Sequence, residues 1–180
     1  RLACEHFDVG SPDSVHVDAL PGEYDANFKL TTRDGRCFVL KIMHPGRDPG
    51  LVDLQCAALR HLANVAPDLR LPRVQPTRGG DVMVRGERIV WMLSFIDGGP
   101  LGEVRPRTGE MFSSLGRFLG RLDAGLAGFS HEASRRDFKW DLSRAAWIKG
   151  SLHHIDSPAR RALVERALAM FESRVTPRLK

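Results

Sequence analysis

Cysteine, asparagine and long apolar runs are all scarce in this sequence, and each shortage removes a class of protein. The three cysteines, Cys4, Cys37 and Cys56, are odd in number and show no metal-like spacing. They exclude a disulfide framework and read as reduced thiols of a cytoplasmic protein. Seven histidines are scattered with no H-E-x-x-H or C-x-x-C partner, so no zinc site is legible. His153 and His154 adjoin, but neighbours in sequence do not face each other on a helix, and the pair reads as surface. No apolar stretch approaches the length of a membrane span, and the first residues carry no signal-peptide core. No membrane partner is expected. A concentrated block of positive charge is also missing. The net charge of +5 fits an anionic partner, yet the arginines are spread out and no aromatics interleave with them. That argues against nucleic acid and leaves a nucleotide or a solvated basic surface. Asparagine occurs twice, at Asn27 and Asn64.

What is present is a globular composition, 42% hydrophobic and 27% charged, over 180 residues. That length suits one ordinary domain or two small lobes. The chain begins at Arg1 rather than Met, which reads as a cut within a longer protein.

The pattern over Pro21–Met43 organises the rest. Residues 1–14 read as a helix end (Leu2 to Phe7) and a linker, and Val15–Leu20 alternates as a first strand. A turn of small residues, Gly22, Asp25, Ala26 and Asn27, leads into a strand over Phe28–Thr32. A tight Asp34-Gly35 turn then gives a third strand over Cys37–Met43. Lys41 is the polar exception on that third strand, sharing a face with Cys37, Val39 and Met43. An ammonium on an apolar face is costly unless an anion meets it. Either a carboxylate or a ligand phosphate does so, or the stem packs while the head reaches solvent at an edge. Backbone N–H groups of the small-residue turn lie close enough in sequence to serve the same anion.

Asp48 as cap and Pro49 at the first turn predict a helix to about Val65, with an inner stripe of Leu51, Leu54, Gln55, Ala58, Leu59 and Leu62. Gln55 either reaches Lys41 from that stripe or sits wetted at its margin. Three more strands are expected over Arg73–Gln75, Asp81–Arg85 and Arg88–Phe95, making a five- or six-stranded antiparallel meander with one packed helix. After Ile96 the composition changes at Asp97-Gly98-Gly99-Pro100. Helices follow over Arg107–Leu126, Trp140–Lys149 and from Ser157-Pro158, the last with a stripe of Leu163, Ala167, Leu168, Phe171 and Val175. Sheet first and helices after predicts an α+β protein with a first lobe over residues 1–96 and a second over 97–180.

This order of parts resembles the protein-kinase-like fold, and in detail the aminoglycoside phosphotransferase and choline kinase superfamily. The stretches LPGEYDANF, FVLKI, LVDLQCAALRHL, LSFIDGGPL, LGRFLGRLD and FKWDL look most like its hydroxylysine kinase branch. The resemblance implies a nucleotide-binding N-lobe followed by the first helices of a truncated helical C-lobe. It implies that Lys41 contacts the phosphates of ATP or GTP and that Gly22 to Phe28, with Asp25 and Asn27, covers them. The base would lie against Val39 and the joint Leu93-Ser94-Phe95-Ile96, read by backbone hydrogen bonds. Gln55 falls where many relatives carry a glutamate that pairs with the lysine.

The implied activity is transfer of a phosphoryl group to a hydroxyl of a small amine or amino-acid-like molecule, with Mg2+. The superfamily carries its catalytic aspartate and metal ligands in an H-x-D-x-x-x-x-N loop and a later aspartate segment. With no asparagine after Asn64, no such loop exists here, so no catalytic or metal residue is assigned and the 180-residue chain is expected to be inactive by itself. His154-Ile155-Asp156 mimics the loop's start, but Arg161 stands where the asparagine belongs. Asp137-Phe138-Lys139 echoes a metal segment in the wrong place. Trp140 and Asp141 either line the substrate edge or are a buried aromatic and a helix cap. An incomplete second lobe would expose apolar surface, which implies fusion to further sequence or self-association. The alternative is a non-catalytic kinase-like module that binds nucleotide or a protein.

Overall fold

The computed structural model describes residues 1–136 and 141–179. The chain forms two compact units, Arg1–Ser134 and Arg135–Lys180. The first holds a five-stranded antiparallel sheet: β1 (Val15–Leu20), β2 (Ala26–Thr32), β3 (Cys37–Ile42), β4 (Val74–Gln75) and β5 (Val90–Ser94). The spatial order is β1-β2-β3-β5-β4, so the expected meander holds only through β3. The chain then leaves the sheet for the 17-residue helix α2 (Pro49–Val65), with the short helix α1 (Leu2–His6) having preceded β1. It returns at the far edge, and β5 fills the slot between. The strand expected over Asp81–Arg85 is reduced to a single bridge, Val84 to Val90, while Met83 serves the core.

β3 is central, which explains why both of its faces are apolar. Phe38 and Leu40 pack with Leu30, Val90 and Met92 beneath Ala3, Phe7 and Val9. The opposite face joins Met43 and Trp91 to Val52 and Cys56 of α2. Each such side chain, fully covered, contributes roughly 1.5–3 kcal/mol. β1 is the exposed edge, and its inner residues alternate weakly because little covers them.

The start of α2 follows its sequence signals: Asp48 accepts a hydrogen bond from Gly50 N at 2.9 Å, and Pro49 takes the first turn. Its buried line, however, is Val52, Cys56 and Leu62. Leu51, Leu54, Gln55, Ala58 and Leu59 are only half-covered. The expected stripe was rotated by about one position, because the sheet is met by two small side chains that a stripe of leucines overlooks.

The helix α3 (Gly109–Leu126), capped by Thr108, belongs to the first unit. The compact division thus falls later than the composition change at Asp97. Gly125 explains the close approach of α3 to α2: a Cβ there would stand 2.8 Å from Leu62 Cδ2. His61 Nε2 lies 2.9 Å from Gly125 O, and Arg121 pairs with Asp68. Met111, Leu115, Phe118, Leu122 and Leu126 face inward but remain half-covered, and Phe112 and Leu119 are exposed.

The second unit contains a 3-10 helix over Leu142–His154, where the sequence predicted an α-helix from Trp140, and α4 (Pro158–Arg174). They are tied by Lys149 and Glu172 at 2.7 Å. Leu168 is buried and Phe171 half-covered, while Leu163, Ala167 and Val175 of the expected stripe are exposed. Among the described residues, no helix is long and apolar enough to cross a membrane.

Candidate functional site

Antiparallel register puts Asn27 of β2 and Trp91 of β5 on either side of Lys41. Lys41 Nζ donates to Asn27 Oδ1 at 2.7 Å and lies 5.9 Å from the centre of the Trp91 ring. Burial pulls the ammonium below the usual lysine range, and the nearby Asp25 carboxylate partly restores it. The lysine is therefore half-buried, and its direct hydrogen-bond partner is a neutral amide. Gln55 plays no part in this: among the described residues it makes no side-chain hydrogen bond, and Asn27 holds the place proposed for it.

Asn27 also organises the turn that precedes it. Its Nδ2 donates to Pro21 O at 3.1 Å and Asp25 O at 3.3 Å. The Asp25 carboxylate accepts from His44 N at 2.9 Å and Arg47 Nη2 at 3.4 Å, which fastens the turn to the loop after β3. Gly22 has no room for a side chain, since a Cβ would lie 2.1 Å from Asp25 O and 2.6 Å from Asn27 Nδ2. The carbonyls at the two ends of the turn, Pro21 and Asp25, are thus occupied. Its donors are not: the amides of Gly22, Glu23 and Tyr24 have no acceptor among the described residues. Gly22, Asp25, Asn27 and Lys41 form one cluster, with open N–H groups beside an ammonium. Such a cluster can hold an anion.

Val39 continues the same face away from Lys41, opposite Leu93. At its far end Ser94 N donates to Arg73 O at 2.8 Å and Phe95 N to Cys37 O at 3.0 Å. Two amides of the joint expected to read a base are therefore spent on the sheet. The Ile96 amide has no partner among the described residues. Sequence reasoning missed two cations here. Lys29, opposite Val39, places Nζ 4.3 Å from the centre of the Phe95 ring. Its alternation with Phe28 and Leu30 was the available signal. Arg47 carried none, since it lies in the His44-Pro45-Gly46 loop.

The look-alike segments resolve as local structure where they are described. Asp156 is exposed, Ser157 caps α4, and Arg161 donates to Ile155 O at 2.8 and 3.2 Å. The Ser143 side chain first, and then Ser143 N donating at 2.9 Å, lower the Asp141 carboxyl, so Asp141 caps the 3-10 helix. Asp137, Phe138, Lys139 and Trp140 lie outside the described residues. No group of three or more His, Cys, Asp or Glu side chains suited to a metal occurs among the described residues.

The family model described as "Phosphotransferase enzyme family" (APH) matches residues 16–179. The chain belongs to that family. Among solved structures, this family member is similar to a microcompartment-associated aminopropanol kinase, at 20% identity and TM-score 0.73 over 99% of this chain and 57% of that one. An amicoumacin kinase in complex with AMP-PNP and Ca2+ matches at 15% identity and TM-score 0.67, over 93% of this chain and 49% of that chain. A spectinomycin phosphotransferase in complex with ADP and spectinomycin matches at 14% identity and TM-score 0.55, over 96% and 53%. The phosphotransferase-family chain thus spans about half the length of these structures, and they bear out the kinase-like fold. No curated protein matches it.

Proposed function

We propose that this chain is the nucleotide-binding part of a small-molecule kinase that transfers a phosphoryl group from ATP to a hydroxyl of an amine or amino-acid-like substrate. The observation that carries the reading is the half-buried Lys41, whose hydrogen-bond partner among the described residues is the neutral Asn27 amide, beside the open amides of Gly22, Glu23 and Tyr24. A carboxylate partner would have satisfied the charge. A neutral one leaves it available to phosphate. In this reading residues 1–96 are the nucleotide lobe, and Val39 with the Ile96 amide forms the base slot. Adenine is preferred to guanine because the complexes of similar structures contain AMP-PNP and ADP. The substrate class rests on the amino alcohol that names the aminopropanol kinase. Cytoplasmic work follows, since ATP is supplied there.

The described residues do not fit a magnesium site. Asp25, the carboxylate nearest Lys41, already serves His44 N and Arg47. The metal and the base that accepts the hydroxyl proton belong, in this proposal, to sequence outside the chain. What these residues supply is binding and orientation of the triphosphate. A non-catalytic module that binds nucleotide or a protein is the second reading, and sequence beyond the 180 residues separates the two.

Calorimetry tests the proposal. The chain should bind ATP, and Lys41→Met should lose at least tenfold in affinity, the worth of a charge-assisted hydrogen bond to phosphate. The same variant should melt no lower than the parent, because it removes a desolvated ammonium. Phosphoryl transfer to amino alcohols should require sequence beyond the 180 residues. ATP binding that ignores Lys41 would end the reading, and transfer by the chain alone would end the claim that it lacks the catalytic groups.

A further inference from the structure

Arg47 lies in the loop between β3 and α2, and the role derived for it so far is to fasten a turn. It performs that role poorly. Nη2 reaches Asp25 Oδ1 at 3.4 Å, long for an ion pair, and the two side chains are 30% and 18% exposed. Nε is buried with no hydrogen-bond partner. The guanidinium carbon stands 5.9 Å from the centre of the Tyr24 ring. A guanidinium offers five donors in a rigid fork, and a buried donor left unmade costs free energy. Asp25 does not supply the missing acceptor: its Oδ1 takes His44 N and Arg47 Nη2, and neither of its oxygens pairs with Nε.

The surroundings offer further donors and little else. A cavity of about 180 Å³ beside Arg47 is lined by His44, Arg85 and Arg88, with Glu87 as its one acid. The Tyr24 ring that the guanidinium approaches belongs to the turn whose Gly22, Glu23 and Tyr24 amides are open. Position along the sheet adds direction. From Phe95 the shared face runs through Val39 to Lys41, and Arg47 lies beyond, past the end of β3.

We infer that Arg47 is a second phosphate ligand, parked on Asp25 when no nucleotide is bound and contacting the terminal phosphates when one is. This rests on the nucleotide reading and extends it. Lys41 holds the phosphates nearer the base, and the buried Nε–H with the neighbouring Nη of Arg47 forms a fork for an outer phosphate oxygen. The rival is a purely structural staple, in which Arg47 acts only through Asp25.

The two separate by the number of phosphates on the ligand. Binding of ATP, ADP and AMP to the intact protein is measured for the parent, Arg47→Gln and Arg47→Lys. A phosphate ligand predicts that Arg47→Gln weakens ATP about tenfold and AMP less than about twofold, with Arg47→Lys recovering part of the loss. A staple predicts equal loss for ATP and AMP, and that result, or no loss for either, overturns the inference. If Arg47→Gln does not fold, Arg47→Lys carries the same comparison through its ATP-to-AMP ratio. Failure of the parent to bind any nucleotide would instead remove the underlying reading, and the inference with it.

Discussion

The β2–β3 turn and the β1–β2 turn belong to one sheet, yet they spend their carboxylates differently: Asp34 inside its own turn, Asp25 on the loop after β3. In the first, Gly35 N donates to Thr32 O and Thr32 N to Arg36 O, both at 2.9 Å. The Asp34 carboxylate collects the Thr32 hydroxyl and Arg36 Nε, the latter at 2.8 Å. The carboxylate is spent within five residues, while the amides of Arg33 and Asp34 have no acceptor among the described residues. In the second, Asn27 satisfies the carbonyls of Pro21 and Asp25 and nothing satisfies the amides of Gly22, Glu23 and Tyr24 among the described residues. Both turns leave amides to solvent, but the second sets them beside Lys41, where they can serve an anion. The neighbouring ammonium, rather than the presence of glycine in both, distinguishes the two turns.

Substituting the two glycines breaks that comparison most directly. Gly22→Ala inserts a Cβ 2.1 Å from Asp25 O, so the backbone must shift and Asn27 must give way. The expected cost is about 1–3 kcal/mol of stability, as for other overpacked sites, read by denaturant unfolding. Nucleotide affinity should fall with it, because the displaced Asn27 is what holds Lys41. Unchanged affinity in a folded Gly22→Ala protein would show that the turn does not shape the site. Gly35→Ala is the smaller change. Space around Gly35 is open, but its φ of +85° is strained for any side chain. A loss of about 1–2 kcal/mol is expected from that strain alone, with no effect on nucleotide affinity. A fall in affinity at Gly35 would deny the separation between the turns.

Much of this was legible because strand alternation is a strict code. The face shared by Val39, Lys41 and Met43 follows from counting by two, and it brought Gly22, Asp25, Asn27 and Lys41 together as expected. The capped start of α2 was equally plain at Asp48-Pro49. What failed was everything set by neighbours distant in sequence. Gln55 looked placed to orient Lys41, but the burial of Val52 and Cys56 turned α2 so that Gln55 sits at its margin. The Asp81–Arg85 strand failed because alternation predicts an extended segment without saying whether a partner lies beside it. At the joint expected to give a base backbone hydrogen bonds, the amides of Ser94 and Phe95 are consumed by pairing with Arg73 and Cys37. Arg47 was invisible because its meaning comes from Asp25, which is 22 residues away.

The gentlest probe of the two-turn contrast is acid. Asp34 is drawn down from 3.8 to about 2, first by the Thr32 hydroxyl and then by Arg36, although it is exposed to solvent. A carboxyl whose folded value lies below its unfolded one stabilises the fold fully above the unfolded value, and loses that contribution as pH falls toward the folded value. The stability difference between the parent and Asp34→Asn should therefore be constant above about pH 5, shrink below about pH 4 and vanish near pH 2. Urea unfolding across that range reads it, and solvent screening keeps it small. Nucleotide binding should show no matching change, because the acid-sensitive closure belongs to the turn at the end of β3 away from Lys41. A difference that persists undiminished at the acid end would mean that Asp34 shapes its turn by packing rather than by charge, and the contrast between the two carboxylates would lose its cause.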